Sequence, residues 1–340
     1  MSNYDISIII TAHLRDKYLD KAFESVLAQD FDKKRTELII VYKFDHDSDK
    51  LKTIKEKANI FGNFIDYQTS SDPLSFKIRE GVETSKGNII CFLEDDDLFE
   101  PNKLKIVYKT FMETDNLGYF HNDHYIINEM GQVTYKSLIN REKSTLIDGI
   151  NSENFREQFL KIYQSGSPQF NLSSICMKRD LVLKDWLSRF TGRRATDVLL
   201  FLMAVNSSAR IFLSHDKLTF YRVHSSQISL NQSHSSRYKR IMENYKLNEE
   251  LLAEFEQIKK LPLSSVSKEI LDLFFYLPAK IVRYGLSDKS RNVTIKDTVN
   301  YLVKLKEYVD LSSAVKATLF VLWLHYSRSI YIRLASAVVR

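Results

Sequence analysis

The chain has 340 residues, of which 44% are hydrophobic and 27% are charged, and its formal net charge is +6 at pH 7. This composition is typical of a globular protein with a sizeable core and excludes an intrinsically disordered chain. The basic charge allows an anionic partner, but no RNA-binding signature or zinc-finger spacing occurs, so we expect no nucleic-acid partner.

The cysteines and the apolar patterns indicate a cytoplasmic protein. Cys91 and Cys176 each lie in an apolar run, which favours buried, reduced thiols. The N-terminal residues lead directly into a strand pattern without a signal peptide. No stretch approaches the roughly 18 uninterrupted apolar residues of a conventional membrane span.

Residues 5–113 alternate between strand and helix patterns. The segment 6–11 is β-branched and almost wholly apolar, as expected of a strand buried on both faces. The other predicted strands are 38–41, 64–67 and 88–93. The predicted helices are 18–27, 47–60, 76–85 and one whose first turn contains Pro101. This order predicts an α/β fold with a mostly parallel sheet and right-handed crossovers.

The rest of the chain is mixed and then helical. Short strands are predicted at 119–121, 125–127, 132–135 and 221–224, with a hairpin turn at 129–131. Helices are predicted near 153–163, 179–187 and 195–206, and throughout 238–340 with breaks near 261–263 and 284–286. We therefore predict a catalytic domain over 1–230 and a C-terminal helical domain over 231–340.

Polar residues follow three of the predicted strands. They are Thr11-Ala12-His13, Asp45-His46-Asp47-Ser48-Asp49 and Glu94-Asp95-Asp96-Asp97. In a parallel α/β sheet the ligand binds at the carboxyl ends of the strands. Two of these three strand ends are acidic, which is costly unless a cation or ribose hydroxyls engage them.

The run Glu94-Asp95-Asp96-Asp97, here named the acidic turn, predicts a divalent metal site. Adjacent carboxylates repel one another, and hard oxygen ligands suit Mn²⁺ or Mg²⁺ held by one or two carboxylates plus substrate phosphates. The alternative is a solvated helix start, because acids before Pro101 would favour the helix dipole. That alternative explains Asp97 or Glu100 but not the whole cluster.

Ordered motifs in residues 1–225 resemble family 2 of the glycosyltransferases, which have an A-type, Rossmann-like fold. Ser25-Val26-Leu27-Ala28-Gln29 resembles the family's first-helix signature, and 81–90 resembles its glycine-containing segment. Phe92 to Asp97 resembles its Asp-x-Asp metal turn, with Glu94 in place of the first Asp, and Tyr221-Arg222-Val223-His224 resembles the strand that closes the site. Residues after about 230 have no counterpart in this resemblance.

The resemblance implies a nucleotide-diphosphate sugar as donor. Asp96 would be the metal ligand, while Glu94 and Asp95 would serve the ribose and diphosphate. His224 would complete the metal or diphosphate site, or it is a polar residue in a surface turn. The remaining donor-facing residues implied are Thr11, Lys77 and the base-reading Asp45. The family's usual Asp-Asp-Gly-Ser turn is absent after strand two, so the identity of the nucleobase stays open.

The resemblance also places the general base at a helix start, which fits Asp197. An inverting transferase needs a carboxylate that takes the proton of the acceptor hydroxyl. The alternative is that Asp197 only caps the helix, although Thr196 would be the better cap. Arg193-Arg194 either contact a phosphorylated acceptor or are solvated, and His121-Asn122-Asp123-His124 is interpreted as structural or acceptor-facing.

The predicted function is metal-dependent transfer of a sugar to a hydroxyl of a glycan or lipid-linked glycan, with inversion at the anomeric carbon. One alternative is a nucleotidyltransferase, although the Gly-rich phosphate loop it would need is missing after strand one. The other is a transferase-like scaffold that has lost activity.

The segment 314–340 predicts a basic amphipathic helix with four basic residues and no acid. It either packs on the helical domain, where it could also support a homo-oligomer, or lies in the membrane interface. In the second case the enzyme would be peripheral on the cytoplasmic face of the membrane, close to a lipid-linked acceptor.

Overall fold

The computed structural model describes residues 4–14, 16–44, 48–135, 141–224, 237–286, 291–316 and 318. The chain forms two compact units. One consists of Met1–Asn151 and Lys161–Val223, and the other of Ser152–Leu160 and His224–Arg340. The predicted domain boundary at residue 230 lies outside the described residues and stays a prediction.

The first unit begins with four parallel strands in the order β3-β2-β1-β4. They are β1 (Tyr4–His13), β2 (Thr36–Lys43), β3 (Asn63–Gln68) and β4 (Gly87–Glu94). The helices between them are α1 (Leu19–Leu27), α2 (Asp49–Lys57) and α3 (Leu74–Thr84). These elements confirm the predicted alternation of strands and helices, with bounds that differ by at most three residues.

Helices cover both faces of this parallel half, which explains why its strands are apolar throughout. Ile8 and Ile10 share one buried core with Phe23 of α1. On the other face α3 approaches so closely that a Cβ added to Gly81 would lie 2.7 Å from the side chain of Ile9. Burial on both faces is therefore what the unbroken apolar sequence of β1 encodes.

The sheet continues beyond β4 as a mixed sheet. Next to β4 lies β9 (Ile175–Lys178), antiparallel both to β4 and to β6 (Leu117–Ile127), and β6 runs parallel to β10 (Arg210–Arg222). Three short strands pair antiparallel at its margin: β5 (Leu98–Phe99) and β8 (Thr145–Ile147) with β10, and β7 (Val133–Tyr135) with β6. The remaining helices that lie wholly in the first unit are α4 (Lys103–Glu113), α6 (Lys184–Arg189) and α7 (Thr196–Asn206).

The sequence was least informative about this mixed half. The separate strands predicted at 119–121 and 125–127 are wrong, because β6 is continuous and its polar residues 121–124 are buried inside the sheet. The strand predicted at 221–224 is only the end of the much longer β10. The hairpin turn at 129–131 is confirmed, since Gly131 has a positive φ of 83° and donates its N–H to Asn128 O at 2.9 Å.

The second unit is helical in its described part. Its elements after residue 224 are α8 (Arg237–Lys259), α9 (Ser265–Ile270), a π-helical stretch (Leu271–Tyr276), α10 (Leu277–Leu286) and α11 (Arg291–Leu305). The predicted break at 261–263 is confirmed, and α10 ends at the second predicted break. The helix α5 (Phe155–Ser165) contributes Phe159, whose ring lies 4.9 Å from Phe274 and 4.8 Å from Tyr308.

Within the described ranges, no helix is both long enough and apolar enough to span a bilayer. The amphipathic helix predicted at 314–340 lies almost entirely outside the described residues, and its two interpretations stay open.

Candidate active site

The acidic turn lies at the carboxyl edge of the sheet, directly beside the end of β1. Strand pairing places Glu94 opposite Thr11, and the N–H of Asp95 donates to Thr11 O at 3.2 Å. Thr11 and Asp95 are both buried. The structure therefore brings together three of the predicted donor-binding residues, whose roles stay predictions.

Hydrogen bonds from distant parts of the chain fix the shape of the acidic turn. The N–H of Asp97 donates to Glu94 O at 3.2 Å, and Ser173 Oγ accepts the N–H of Glu94 at 3.0 Å. The carboxylate of Asp97 accepts from Asn171 Nδ2 at 3.1 Å and from the backbone N–H of Arg222 at 2.8 Å. Asp97 is thus used to hold the turn, because both of its carboxylate oxygens accept hydrogen bonds from the protein.

The side chain of Arg222 holds the same turn through backbone carbonyls. Its Nε donates to Asp96 O at 2.7 Å, and its Nη1 donates to Asn128 O at 3.0 Å and Glu129 O at 3.1 Å. Its guanidinium lies 4.5 Å from the centre of the Tyr18 ring. Arg222 therefore connects the acidic turn to the hairpin turn and to the start of α1.

Burial and mutual repulsion disfavour negative charge on the carboxylates of the acidic turn. Burial, followed by the charges of Asp96, Asp97, Asp95 and Asp197, raises the pKa of Glu94 well above its ordinary value. Burial and the charge of Asp96 raise the pKa of Asp97 to about 8, although hydrogen bonds from Ser173 and Arg222 oppose this shift. A bound cation would relieve this repulsion.

The donor set fits a hard divalent cation that is shared with a substrate. Among the described residues, no three His, Cys, Asp or Glu side chains are grouped as a complete ligand set. Mg²⁺ and similar ions need none when one or two carboxylates are supplemented by substrate phosphates and water. The buried carboxylates of Asp95 and Asp96 meet that requirement.

Asp197 lies near the acidic turn although it is remote in sequence. It is the second residue of α7, it is half-buried, and its Oδ1 accepts the N–H of Val198 at 2.8 Å. Its negative charge helps to raise the pKa of Glu94, which places the two carboxylates in electrostatic range. The idea that Thr196 caps this helix is wrong, because the helix begins at Thr196 and no side chain caps it.

A basic cluster lies at the ends of β1 and β2. His13 pairs with Lys43 across the two strands, and Lys43 Nζ lies 2.7 Å from Asp72 Oδ1. Lys77 is almost fully buried, with its Nζ donating to Ser71 O at 3.2 Å and Asp72 O at 3.0 Å. Burial lowers the pKa of Lys77 to about 8. Lys77 thus lies at the edge where the donor was predicted to bind.

Other predicted site residues have separate outcomes. Burial lowers the pKa values of His13 and Lys77 most, and the charge of Arg193 lowers both further, so Arg193 belongs with the basic cluster. Asp45 lies outside the described residues.

His224 is buried, so its interpretation as a surface residue is wrong. It is the first residue of the helical unit's longer segment, and its role at the metal or diphosphate stays a prediction.

The run 121–124 is a buried part of β6 and supports the fold. Asp123 forms a fully buried ion pair with Arg141 at 2.5 Å, and burial lowers the pKa of His124 to about 4. A ring nitrogen of His121 hydrogen-bonds to the carbonyl of Phe170. These partners support the structural interpretation of the run.

Four residues that help to shape the site were not identified from the sequence. They are Lys103, Asn171, Ser173 and Arg222. Lys103 is fully buried, and its Nζ donates to Ser173 O at 2.5 Å and to Thr219 Oγ1 at 3.0 Å. The only sequence signal was Arg222 within the segment that resembles the family's closing strand.

Solved structures show what fold this arrangement belongs to. The chain is similar to S. aureus TarS 1-349 in complex with UDP-GlcNAc, with a TM-score of 0.58 and 15% identity over 97% of this chain and 92% of that one. It is also similar to the mannosyltransferase PcManGT from Pyrobaculum calidifontis in complex with GDP-Man and Mn²⁺, with a TM-score of 0.50 and 10% identity over 95% and 86% of the two chains. The predicted A-type glycosyltransferase fold is thereby confirmed.

Sequence comparisons match the N-terminal half of the chain. The O-antigen biosynthesis glycosyltransferase WbnJ of Escherichia coli is 28% identical over 37% of this chain and 49% of its own length. An uncharacterized glycosyltransferase of Rickettsia felis is 31% identical over 37% of this chain, and the chain spans only about a fifth of that relative's length. The family model described as Glycosyl transferase family 2 matches residues 7–172. The predicted resemblance to glycosyltransferase family 2 is thereby confirmed over these residues.

Proposed function

We propose that the chain is a metal-dependent, inverting glycosyltransferase that moves a sugar from a nucleotide-diphosphate sugar to an acceptor hydroxyl. The observation that supports this most is the proximity of Asp197 to the acidic turn at the carboxyl edge of the sheet. A base for the acceptor and a metal-binding turn for the donor are the two parts such a reaction requires.

On the donor side, Asp96 would hold Mn²⁺ or Mg²⁺, with His224 completing the metal or diphosphate site and Asp95 serving the diphosphate. When bound, the cation would neutralise charge on the departing diphosphate. Glu94 would bind the ribose beside Thr11, and Asp45 would read the nucleobase. Lys77 would add positive charge on the donor side, and TarS and PcManGT, which bind UDP-GlcNAc and GDP-Man, support a nucleotide-sugar donor.

On the acceptor side, Asp197 acts as the general base. Its carboxylate takes the proton of the acceptor hydroxyl while the hydroxyl oxygen attacks the anomeric carbon. The bond from that carbon to the diphosphate oxygen breaks on the opposite face, so the product has inverted configuration. The hydrogen bond from Val198 to one carboxylate oxygen fixes the orientation of Asp197 during this step.

The acceptor is proposed to be a glycan or a lipid-linked glycan. The names of WbnJ and of the Bacillus subtilis minor teichoic acid biosynthesis protein GgaB, which is 32% identical over 34% of this chain, support a role in glycan assembly. We place the enzyme in the cytoplasm or, through the segment 314–340, peripherally on the cytoplasmic face of the membrane. We also propose that the helical unit supports self-association.

Product analysis with a panel of UDP- and GDP-sugars, each with Mn²⁺ and a mixture of methyl glycosides, tests this function. We expect release of the nucleoside diphosphate and a new glycoside whose anomeric proton coupling shows inversion. Release of a sugar 1-phosphate, with transfer of the nucleoside monophosphate to the acceptor, would indicate a nucleotidyltransferase, and a retained configuration would contradict the mechanism. Absence of both binding and turnover would support the inactive scaffold.

A further inference from the structure

The segment 165–171 consists of the last residue of α5 and the coil that follows it, and buried side chains hold it by its backbone. Four of its carbonyl groups accept hydrogen bonds from three side chains, those of Arg141, Tyr119 and His121. The accepting groups are Ser165 O at 3.0 Å and Ser167 O at 3.0 Å from Arg141, Pro168 O at 2.9 Å from Tyr119, and Phe170 O from His121. Because these donors are themselves buried, the backbone of the segment is held in one conformation.

The two ends of this segment connect it to both halves of the proposed site. Asn171 donates to the carboxylate of Asp97 in the acidic turn. Tyr119, which holds Pro168, packs its ring 5.7 Å from that of Phe201 on α7. Phe201 lies one helical turn after Asp197, so the two residues share a face of that helix. The segment is therefore connected both to the acidic turn and to the helix that carries the proposed general base.

Gln169 carries a polar group that points to a ligand. Its carbonyl oxygen Oε1 is buried and has no hydrogen-bond partner among the residues that the structure describes. A buried acceptor without a donor is unfavourable, and a ligand hydroxyl would supply the missing donor.

The next residue, Phe170, carries an apolar ring. Its ring is half-buried and is held against Tyr221 at 5.2 Å and His124 at 5.4 Å. The negative face of an aromatic ring attracts weakly positive C–H groups, such as those on the flat face of a sugar ring. An aromatic platform beside a hydrogen-bonding amide is a combination suited to a carbohydrate.

We propose that Gln169 and Phe170 form the subsite that holds the sugar ring of the acceptor and directs its hydroxyl to Asp197. This inference rests on the proposed function, because it assigns the acceptor side of the same reaction. Gln169 accepts a hydrogen bond from a ring hydroxyl, and Phe170 packs against the ring's C–H face.

Binding of methyl glycosides tests the proposal, using saturation-transfer NMR on the full chain with Mn²⁺ and UDP or GDP present. Methyl glucoside, galactoside, mannoside and N-acetylglucosaminide serve as probes. We expect wild type to bind at least one, and Phe170→Leu and Gln169→Met each to weaken that binding by about tenfold. Phe212→Leu is the matched control, since Phe212 is also half-buried but stacks on Phe120 at 5.8 Å, away from the segment.

Nucleotide binding measured by calorimetry separates this inference from the function on which it rests. We expect the Kd for the nucleoside diphosphate to change less than about twofold in both variants, because neither residue is placed on the donor side. Unchanged glycoside binding in both variants, or a parallel loss of nucleotide affinity, would overturn the subsite, as would a wild type that binds no glycoside. Failure of wild type to bind any nucleotide or nucleotide sugar would instead contradict the proposed function.

Discussion

Arg222 shows how a single residue can determine the geometry of a site through contacts within the protein. Its backbone N–H binds the carboxylate of Asp97, while its side chain binds three carbonyl groups, one of them that of Asp96. The backbone hydrogen bond survives any substitution except proline. Changes at this side chain therefore test the three side-chain bonds together with the contact to the Tyr18 ring.

We expect Arg222→Met to lower the free energy of unfolding by about 3–5 kcal/mol, because buried carbonyl groups lose charged donors. Urea denaturation measures this loss. Arg210→Met on the same strand is the control, since Arg210 pairs with a half-exposed Asp148 and should cost less than about 1 kcal/mol. Equal losses in the two variants would contradict the anchoring role of Arg222.

Asp197→Asn should lower turnover on the order of 10²–10⁴-fold while leaving donor binding nearly unchanged, because the base acts on the acceptor. Steady-state kinetics and nucleotide titration measure the two quantities separately. Asp185→Asn, at an exposed ion pair on α6, is the control and should behave like wild type. A loss of donor binding would mean that Asp197 is structural, and full turnover would mean that another residue is the base.

Lys77 should make stability depend on pH. Its pKa falls from 10.5 in the unfolded chain to about 8 in the folded protein. Below pH 8 both states are protonated, and the cost of burying the charge is fully present. Between pH 8 and 10.5 the unfolded state binds more protons, so stability rises with pH by about 3 kcal/mol in total.

Lys77→Met should therefore abolish this rise, whereas Lys105→Met, at an exposed ion pair, should retain it. Urea denaturation at pH 7 and pH 10 measures the difference, and other titrating groups cancel in the comparison with wild type. If the free energy of unfolding depends on pH in the same way in Lys77→Met and in wild type, burial does not lower the pKa of Lys77.

At the scale of elements, the strand β4 leads into the acidic turn at one end and begins at Gly87, which lies very close to β1, at the other. A Cβ on Gly87 would lie 2.5 Å from the backbone nitrogen of Ser7, which cannot move without shifting the strand. The N–H of Gly87 also donates to Ser7 Oγ at 2.8 Å. The start of β4 thus helps to set the register that places Glu94 beside Thr11.

Gly87→Ala is expected to destabilise the protein by about 2–3 kcal/mol through this overlap and to weaken donor binding. Gly131→Ala is a useful control because its Cβ would meet no atom closer than 3.8 Å and only its positive φ opposes the change. That control should cost about 1 kcal/mol. A neutral Gly87→Ala, in thermal unfolding and in nucleotide titration, would contradict the close approach of the two strands.

The parallel half of the sheet could be predicted from the sequence because its strands are buried on both faces and bounded by helices. The mixed half could not, because its polar residues are satisfied only by remote partners. Asp123 in β6, for example, is paired with Arg141, and the neighbouring Asn122 Nδ2 donates to Thr219 Oγ1 on β10. No local pattern distinguishes such a strand from two short strands with a loop.

The candidate site also has one part that could be predicted from the sequence and one part that could not. The acidic turn is a contiguous run and was visible in the sequence. Its supports are not contiguous: Asn171 binds Asp97 across 74 residues, Ser173 binds Glu94 across 79, and Arg222 binds Asp96 across 126. Only the fold brings them together, so a single sequence could not identify them.

At the scale of the whole molecule, the family match covers the first half, while similarity of fold to TarS 1-349 covers 97% of the chain. The second unit is therefore part of a known architecture, although its sequence resembles no motif that we identified. The segment 314–340 remains the predicted contact with a membrane or with the protein itself.

The central claim is that the acidic turn holds a divalent metal against the donor diphosphate. Calorimetric titration of UDP and GDP into wild type and Asp96→Ala, each with and without Mn²⁺, tests it most directly. The substitution leaves the hydrogen bond from Arg222 intact, because Arg222 binds the backbone carbonyl of Asp96, which alanine retains. We predict that Mn²⁺ strengthens nucleotide binding to wild type by at least about tenfold, or 1.4 kcal/mol, and has no effect on the variant. Mn²⁺-dependent affinity that persists in Asp96→Ala, or that is missing from wild type, would contradict the claim.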